Sequence, residues 1–266
     1  MQLQQHLDAF TAAGIRVFAV SYDSVEVLRA FAEEFGITYP LLSDEDSAVI
    51  KRYGILNTLI RPDESVYGIP YPGYYATDAD GVVTEKAFYR YYRVRPSTQS
   101  VLAEVFGLSL DAIDTGADPR ADAASEGVRV SAVLAADGLI FMQRVPLYVT
   151  IDLDAGRHVY RAPVPEGFIA TEVSVTGPEA LTIEAAVYPS TRPFAVEGVR
   201  EPFAVMDGPV RIAVPLMLTS EDLDVIAIEV TVRYQACDER QCFIPQTVAL
   251  HLDIPRGTLR RAVRRG

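Results

Sequence analysis

Along the first hundred positions, apolar residues switch repeatedly between helical and strand spacing. Leu3, Leu7 and Phe10 fall on one face of a helix, and Gly14 supplies its stop. Residues 15–21 form a nearly unbroken apolar run, which predicts a buried strand of a parallel sheet. Asp23 with Glu26 reads as a capping box for a helix over 24–35, ended by Gly36. A short strand over 39–42 follows, then a helix from Asp44 to Tyr53 stopped by Gly54. Residues 73–77 and 82–89 flank Asp78-Ala79-Asp80-Gly81 and predict a hairpin. An amphipathic helix over 97–106 closes the series. The order α-β-α-β-α-β-β-α predicts an α/β domain with a largely parallel sheet covered by helices on both faces.

Residues 108–126 are small, acidic and weakly patterned, and read as a linker. From Val128 the period changes to two. Val128, Val130 and Ala132 begin it, and Leu147, Val149, Ile151 and Leu153 are cleaner. Further runs cover 168–175, 181–187, 210–218, 226–234 and 247–254, with Pro and Gly in the gaps. Seven or eight short strands without a convincing helix predict a β-sandwich over 127–255. The chain therefore reads as α/β plus all-β: residues 1–107, the linker, residues 127–255, and a basic tail over 256–266.

A length of 266 residues suits two domains, and 49% hydrophobic residues are enough for two cores. A net charge of −12 argues against a nucleic-acid partner, because phosphate binding needs a concentrated basic surface. The tail arginines 256, 260, 261, 264 and 265 read as a solvated terminus. The aromatic run 88–93 reads as an edge strand. No apolar run approaches the ~18 residues of a membrane span. Residues 1–6 have neither the charged nor the apolar region of a signal peptide, so the sequence as it stands reads as cytoplasmic. Paired carboxylates such as Glu33-Glu34 read as solvated faces, and no dinucleotide, P-loop, serine-hydrolase or zincin motif occurs.

The candidate chemistry is concentrated in residues 234–245, which hold both cysteines, Cys237 and Cys242. The alternating runs on either side predict a hairpin with Asp238 to Gln241 as its loop. The two cysteines would then face each other across the strands, where Cα atoms lie roughly 4.5–5.5 Å apart and a disulfide can form. Three readings compete. A static staple is one, although closing so short a loop contributes only ~2 kcal/mol. Zinc would need two more ligands, and His6, His158 and His251 stand singly. The third is an exchanging thiol pair. Arg240 would favour its thiolate, while Asp238 and Glu239 would oppose it.

Residues 1 to about 107 resemble the AhpC/TSA branch of the thioredoxin fold, the peroxiredoxins and redoxins. The resemblance rests on 14–24 (GIRVFAVSYDS), 35–44 (FGITYPLLSD) and 71–83 (YPGYYATDADGVV). It implies that Pro72 occupies the fold's cis-proline position, with Pro70 the weaker match. In that family the reactive cysteine opens the first helix after a central strand. This sequence starts beyond both, and no cysteine occurs before position 237. The expectation is that strand and cysteine precede Met1 in a longer parent. Without the strand, its two neighbours would be left with unpaired backbone groups.

The second half resembles the immunoglobulin-like amino-terminal domain of DsbD-type thiol:disulfide interchange reductases. The cues are 156–161 (GRHVYR), 165–167 (PEG), 187–189 (VYP) and the cysteine ribbon closed by Phe243-Ile244-Pro245. The best-known members keep one more residue between the cysteines. The resemblance implies that Cys237 and Cys242 exchange electrons with a thioredoxin-like or other thiol protein, without a cofactor, in an extracytoplasmic compartment. It also implies an aromatic cap from Phe194 or Phe203, and a site tyrosine at Tyr160; core packing accounts equally well for all three. The function expected is a thiol-disulfide oxidoreductase whose parent reduces peroxide. The alternative is a binding module with a structural disulfide.

Overall fold

The computed structural model describes residues 2–91, 94–108, 118–125, 127–196, 201–238 and 240–257. The chain divides into two compact units, the first within Met1–Asp114 and the second spanning Thr115–Gly257.

In the first unit, helices α1 (Gln2–Gln5) and α2 (Leu7–Ala12) place Phe10 against Leu102, the two fully buried centres of a small core that includes Leu3, Ile15, Val17 and Phe106. Strands β1 (Ala19–Ser21) and β2 (Leu41–Ser43) pair in parallel, Val20 opposite Leu42. Helix α3 (Val25–Phe35) is capped by the Ser24 hydroxyl, which accepts from the Val27 N–H, and not by Asp23 as the sequence pattern predicts. The Asp23 carboxylate is instead engaged by the Ser21 hydroxyl. Gly36 ends the helix at φ 60°, where a side chain would be strained. Helix α4 is shorter than expected (Ala48–Arg52), because Asp44 stays outside it and accepts the N–H groups of Val49 and Ile50. Strands β3 (Gly73–Thr77) and β4 (Val83–Phe88) form the expected hairpin, and Asp78 Oδ1 accepts from Asp80 and Val82 at its tip.

Two features of this unit differ from the sequence reading. The run 15–21 yields only a three-residue strand, and Phe18 and Val20 are 53% and 45% exposed, not buried on both faces. The reason lies in the pairing: β1–β2 and β3–β4 are separate two-stranded sheets, so neither forms a covered centre. Past the short strand β5 (Arg95–Pro96), the final helix is a single α turn, α5 (Thr98–Ser100), continued as a π turn over Val101–Val105. The elements are those of a thioredoxin-like α/β domain, with the sheet present as two pairs.

The second unit is an immunoglobulin-like sandwich. Strands β6 (Arg120–Ser125), β7 (Val128–Leu134), β8 (Gln143–Asp152), β14 (Val210–Leu218) and β11 (Leu181–Ile183) lie side by side, β11-β14-β8-β7-β6. Residues 120–125, read as linker from their composition, pair with β7 along their whole length. Strands β10 (Glu172–Thr176), β15 (Val225–Tyr234) and β17 (Gln246–Pro255) form a second sheet. Along β15, Ile226, Ile228, Val230, Val232 and Tyr234 are buried while the residues between face outward or partly so, the alternation expected of a sheet covered on one side. Arg256, assigned to the solvated tail, lies next to β17, and its guanidinium bonds the Leu223 carbonyl and Asp224.

A third, four-stranded sheet escapes the periodicity altogether. Its strands are β12 (Arg192–Phe194), β13 (Phe203–Asp207), β9 (His158–Tyr160) and β16 (Ala236–Cys237), in the order β12-β13-β9-β16.

Candidate active site: the Cys237–Cys242 ribbon

The long hairpin β15–β17 is in register from Val225–Pro255 to Tyr234–Gln246. Residues 235–245 leave it as an excursion, so the cysteines do not lie at the tip of the β15–β17 ladder as the sequence reading placed them. Ala236 and Cys237 cross to the small sheet and pair with Val159 and His158. The chain then turns tightly. Asp238 N–H donates to the Gln241 carbonyl, Phe243 N–H donates to the Ala236 carbonyl, and Cys237 and Cys242 bridge as antiparallel partners. Gln235 anchors the excursion: its side chain donates to the Phe243 carbonyl and accepts from Ile169 N–H. On the ribbon's flank, the Arg157 guanidinium lies over the Phe243 ring, 4.6 Å from its centroid.

Cys237 and Cys242 form a disulfide with Cα atoms 4.1 Å apart. The two sulfurs occupy different environments. Cys237 is 1% exposed and belongs to an apolar cluster with Tyr160, Phe203 and Val205; Cys242 is exposed. The neighbouring Ile244 is 72% exposed, so the accessible cysteine stands beside open apolar surface.

The structure brings most of the sequence-selected residues together. The Tyr160 hydroxyl is 3.1 Å from Cys242 Sγ, and burial raises the pKa of that phenol, so it stays protonated and able to donate. Phe203 is buried against Tyr160, with ring centroids 5.4 Å apart. Phe194 faces Phe203 across β12–β13 and packs against the same cluster, as does Phe168, which the sequence reading passed over. Pro72 belongs to the first unit. It precedes β3, and its carbonyl accepts from Tyr89 N–H. The peptide bond before it is not cis; among the described residues the cis bond is Ala162–Pro163. The cis-proline expectation for Pro72 is therefore not met.

Charge near the disulfide is arranged by hydrogen bonds. Asp238 accepts from the N–H groups of Arg240 and Gln241, at 2.7 and 2.8 Å, and these bonds hold its carboxyl below the usual range. The carboxylate is thus committed to the turn. Glu239 lies outside the described residues. Asp207 is held by Arg192 in a two-pronged pair at 2.6 and 2.7 Å, which lowers its pKa.

One functional candidate missed in sequence is His158. It stands opposite both Cys237 on β16 and Asp207 on β13, and is 2% exposed. Its ring lies 4.4 Å from that of Phe194. A lone histidine in an apolar strand reads as core; only the register reveals its neighbours.

Comparison with known families divides the chain at the same place. Residues 1–86 match the AhpC/TSA family, and residues 132–254 match the N-terminal domain of the thiol:disulfide interchange protein DsbD. Among curated proteins, the first segment is 33% identical over 85 residues to peroxiredoxin Bcp of Escherichia coli, covering 30% of this chain and 51% of that protein. It is 32% identical over 76 residues to a putative peroxiredoxin of Coxiella burnetii, covering 27% and 47%. The chain spans about half the length of these curated relatives. Among solved structures, it is similar to the N-terminal periplasmic domain of ScsB from Proteus mirabilis (20% identity, TM-score 0.35, covering 50% of this chain and 51% of that one). It is also similar to the reduced DsbD N-terminal domain of Neisseria meningitidis (14%, TM-score 0.30, covering 56% and 94%). The chain thus joins a segment that matches the AhpC/TSA family, in which no cysteine occurs, to a segment that matches the DsbD N-terminal family and carries the disulfide.

Proposed function

We propose that this chain is a thiol-disulfide oxidoreductase working through Cys237 and Cys242, with residues 127–255 as the electron-carrying domain and 1–107 as a redoxin domain joined to it. The observation that carries this reading is the unequal burial of the two sulfurs. A partner thiolate can approach Cys242 but not Cys237. Attack at Cys242 Sγ forms an intermolecular disulfide and releases Cys237 as the thiolate; a second partner thiol then resolves the mixed disulfide and leaves both cysteines reduced. In the opposite direction Cys242 attacks a partner disulfide, and Cys237 resolves. In either direction Tyr160 donates a hydrogen bond to Cys242 sulfur, which favours the thiolate there. Phe194, Phe203 and Phe168 keep water from the buried sulfur. The partner is a thioredoxin-like or other thiol protein, docking on the apolar surface around Ile244. An oxidising, extracytoplasmic setting is where such a pair rests as a disulfide. Peroxide reduction, the activity named for the curated relatives of the first segment, would need a cysteine that residues 1–107 do not contain.

Trapping tests this directly. Reduced Cys237→Ser keeps the accessible thiol and is expected to accumulate a mixed disulfide with a single-cysteine thioredoxin-like partner activated as its 2-nitro-5-thiobenzoate disulfide, from which the aromatic thiolate leaves; Cys242→Ser is expected to trap none. Equal trapping by both variants would overturn the assignment of roles. A disulfide that resists reduction by thioredoxin in the wild type would favour a structural bond in a binding module.

A further inference from the structure

We infer that His158 is the proton acceptor that activates Cys237 when the disulfide closes. The inference deepens the exchange reading above and rests on it. Cys237 is 1% exposed, so the thiol formed on reduction sits where water is not at hand to take its proton, and an apolar surrounding disfavours a bare thiolate. A base inside the sheet is needed, and the strand register supplies one. Asp207, His158 and Cys237 are consecutive partners across β13, β9 and β16. Directly opposed residues of an antiparallel pair project to the same face with Cβ atoms about 4.5–5.5 Å apart, so the three side chains share one row. The imidazole occupies the middle of it.

A second observation points the same way. Nε2 of His158 is buried and has no hydrogen-bond partner among the described residues. An unmatched buried ring nitrogen destabilises the fold unless something uses it. The thiol that appears at Cys237 on reduction is a donor that the disulfide lacks. The groups facing the imidazole are Asp207 from β13, Arg192 from β12, Asp238 just past β16 and Tyr160 from its own strand. Burial lowers the imidazole pKa, with Arg192 acting in the same direction, while Asp207 and Asp238 act against it. The ring is therefore neutral near pH 7 and ready to accept a proton, and the carboxylate of Asp207 steadies the imidazolium once formed.

With Cys242 held in a mixed disulfide, the proton of the Cys237 thiol passes to His158. The freed sulfur electron pair attacks Cys242 Sγ, the Cys242–partner bond breaks, and the partner leaves as a thiolate. The two cysteines are oxidised by two electrons, the partner is reduced, and the imidazolium returns its proton to the departing thiolate or to solvent. On opening, the same row works in reverse.

The aromatic disulfide 5,5′-dithiobis(2-nitrobenzoate) reports each half of this cycle. Added to the reduced protein, it releases one coloured thiolate as Cys242 is captured and a second as Cys237 closes the ring. In the wild type the closing rate is expected to follow the neutral imidazole, holding level through neutral pH and falling only at a pH below the ordinary imidazole value of about 6.5. In His158→Phe, closure at neutral pH is expected to slow about 10²-fold, the order of a lost general base, and to climb with pH toward the thiol range near 8.5. Asp207→Asn is expected to shift the wild-type inflection to lower pH, because it removes a charge that favours the imidazolium; this variant keeps the test alive if His158→Phe fails to fold. Second-phase rates and inflections unchanged in both variants would overturn the role of His158. Absence of a second release from the wild type would sink the exchange reading itself, a distinct result.

Discussion

The two units treat similar apolar sequence differently. In the sandwich, Val130, Ile151, Ile212 and Leu216 are wholly buried, and among the described residues the large apolar side chains that stay exposed are Val187, Val225 and Ile244. In the α/β unit, Phe18, Val20 and Leu42 on the parallel strand pair are 53%, 45% and 46% exposed, and Val25, Val27 and Phe31 of the neighbouring helix are exposed as well. Apolar content does not distinguish the two. Pairing does: β8 and β14 have partners on both edges, whereas among the described residues β1 and β2 pair only with each other. A strand is buried when other strands flank it and another layer covers it, and the hydrophobic pattern alone guarantees neither. The exposed Ile244 has a local meaning, because it borders the accessible sulfur.

The contrast can be broken most severely at the disulfide. Replacing both cysteines should abolish thiol exchange while the β15–β17 ladder persists, checked by insulin reduction alongside far-ultraviolet circular dichroism. The next largest effect is on packing. Ile212→Ala in the sandwich is expected to cost about 2–5 kcal/mol of unfolding free energy, whereas Leu42→Ala in the first unit should stay within about 0.5 kcal/mol. Urea unfolding of each variant measures both, and equal losses would erase the distinction between the units.

Acid acts on the sandwich through its titrating groups. The pKa of His158 is lowered on folding, so the unfolded chain binds its proton first. Its contribution to stability is complete above the unfolded value of about 6.5 and is lost as pH falls through that value toward the lower folded one. Asp207 and Asp238 are also lowered, and as acids they stabilise above about pH 3.8 and lose that contribution as pH falls further. The stability of the sandwich should therefore fall in two stages on acidification, and His158→Phe should remove the first. The smallest effect expected is that of Tyr160→Phe. Losing one hydrogen bond to sulfur, worth about 1 kcal/mol, should slow exchange roughly fivefold and leave the fold intact.

How far the sequence revealed all this depends on strand length. The long alternating runs of β8, β14, β15 and β17 announced themselves, as did the Asp78–Gly81 turn and the Gly36 helix stop. The sheet that builds the site did not. Strand β9 is three residues long and buried at every position, and β16 has two residues, so neither has room to show a period of two. The ribbon's cysteines were legible as a facing pair. Their unequal exposure was not, because it arises from Ala236 and Cys237 crossing to a different sheet. Ser24 displaced Asp23 as the helix cap because its own backbone is extended at the helix entrance, with its hydroxyl within reach of Val27 N–H. Residues 120–125 looked like linker because alanine and polar residues alternate weakly; their pairing with β7 supplies the order that their composition does not.

The most direct test of electron exchange is the reduction potential of Cys237–Cys242, measured at equilibrium against a dithiothreitol redox buffer at pH 7. A carrier that accepts and passes on electrons is expected to lie above about −300 mV, within reach of cellular dithiol proteins; a value well below that would mark a bond that stays shut and would contradict the account.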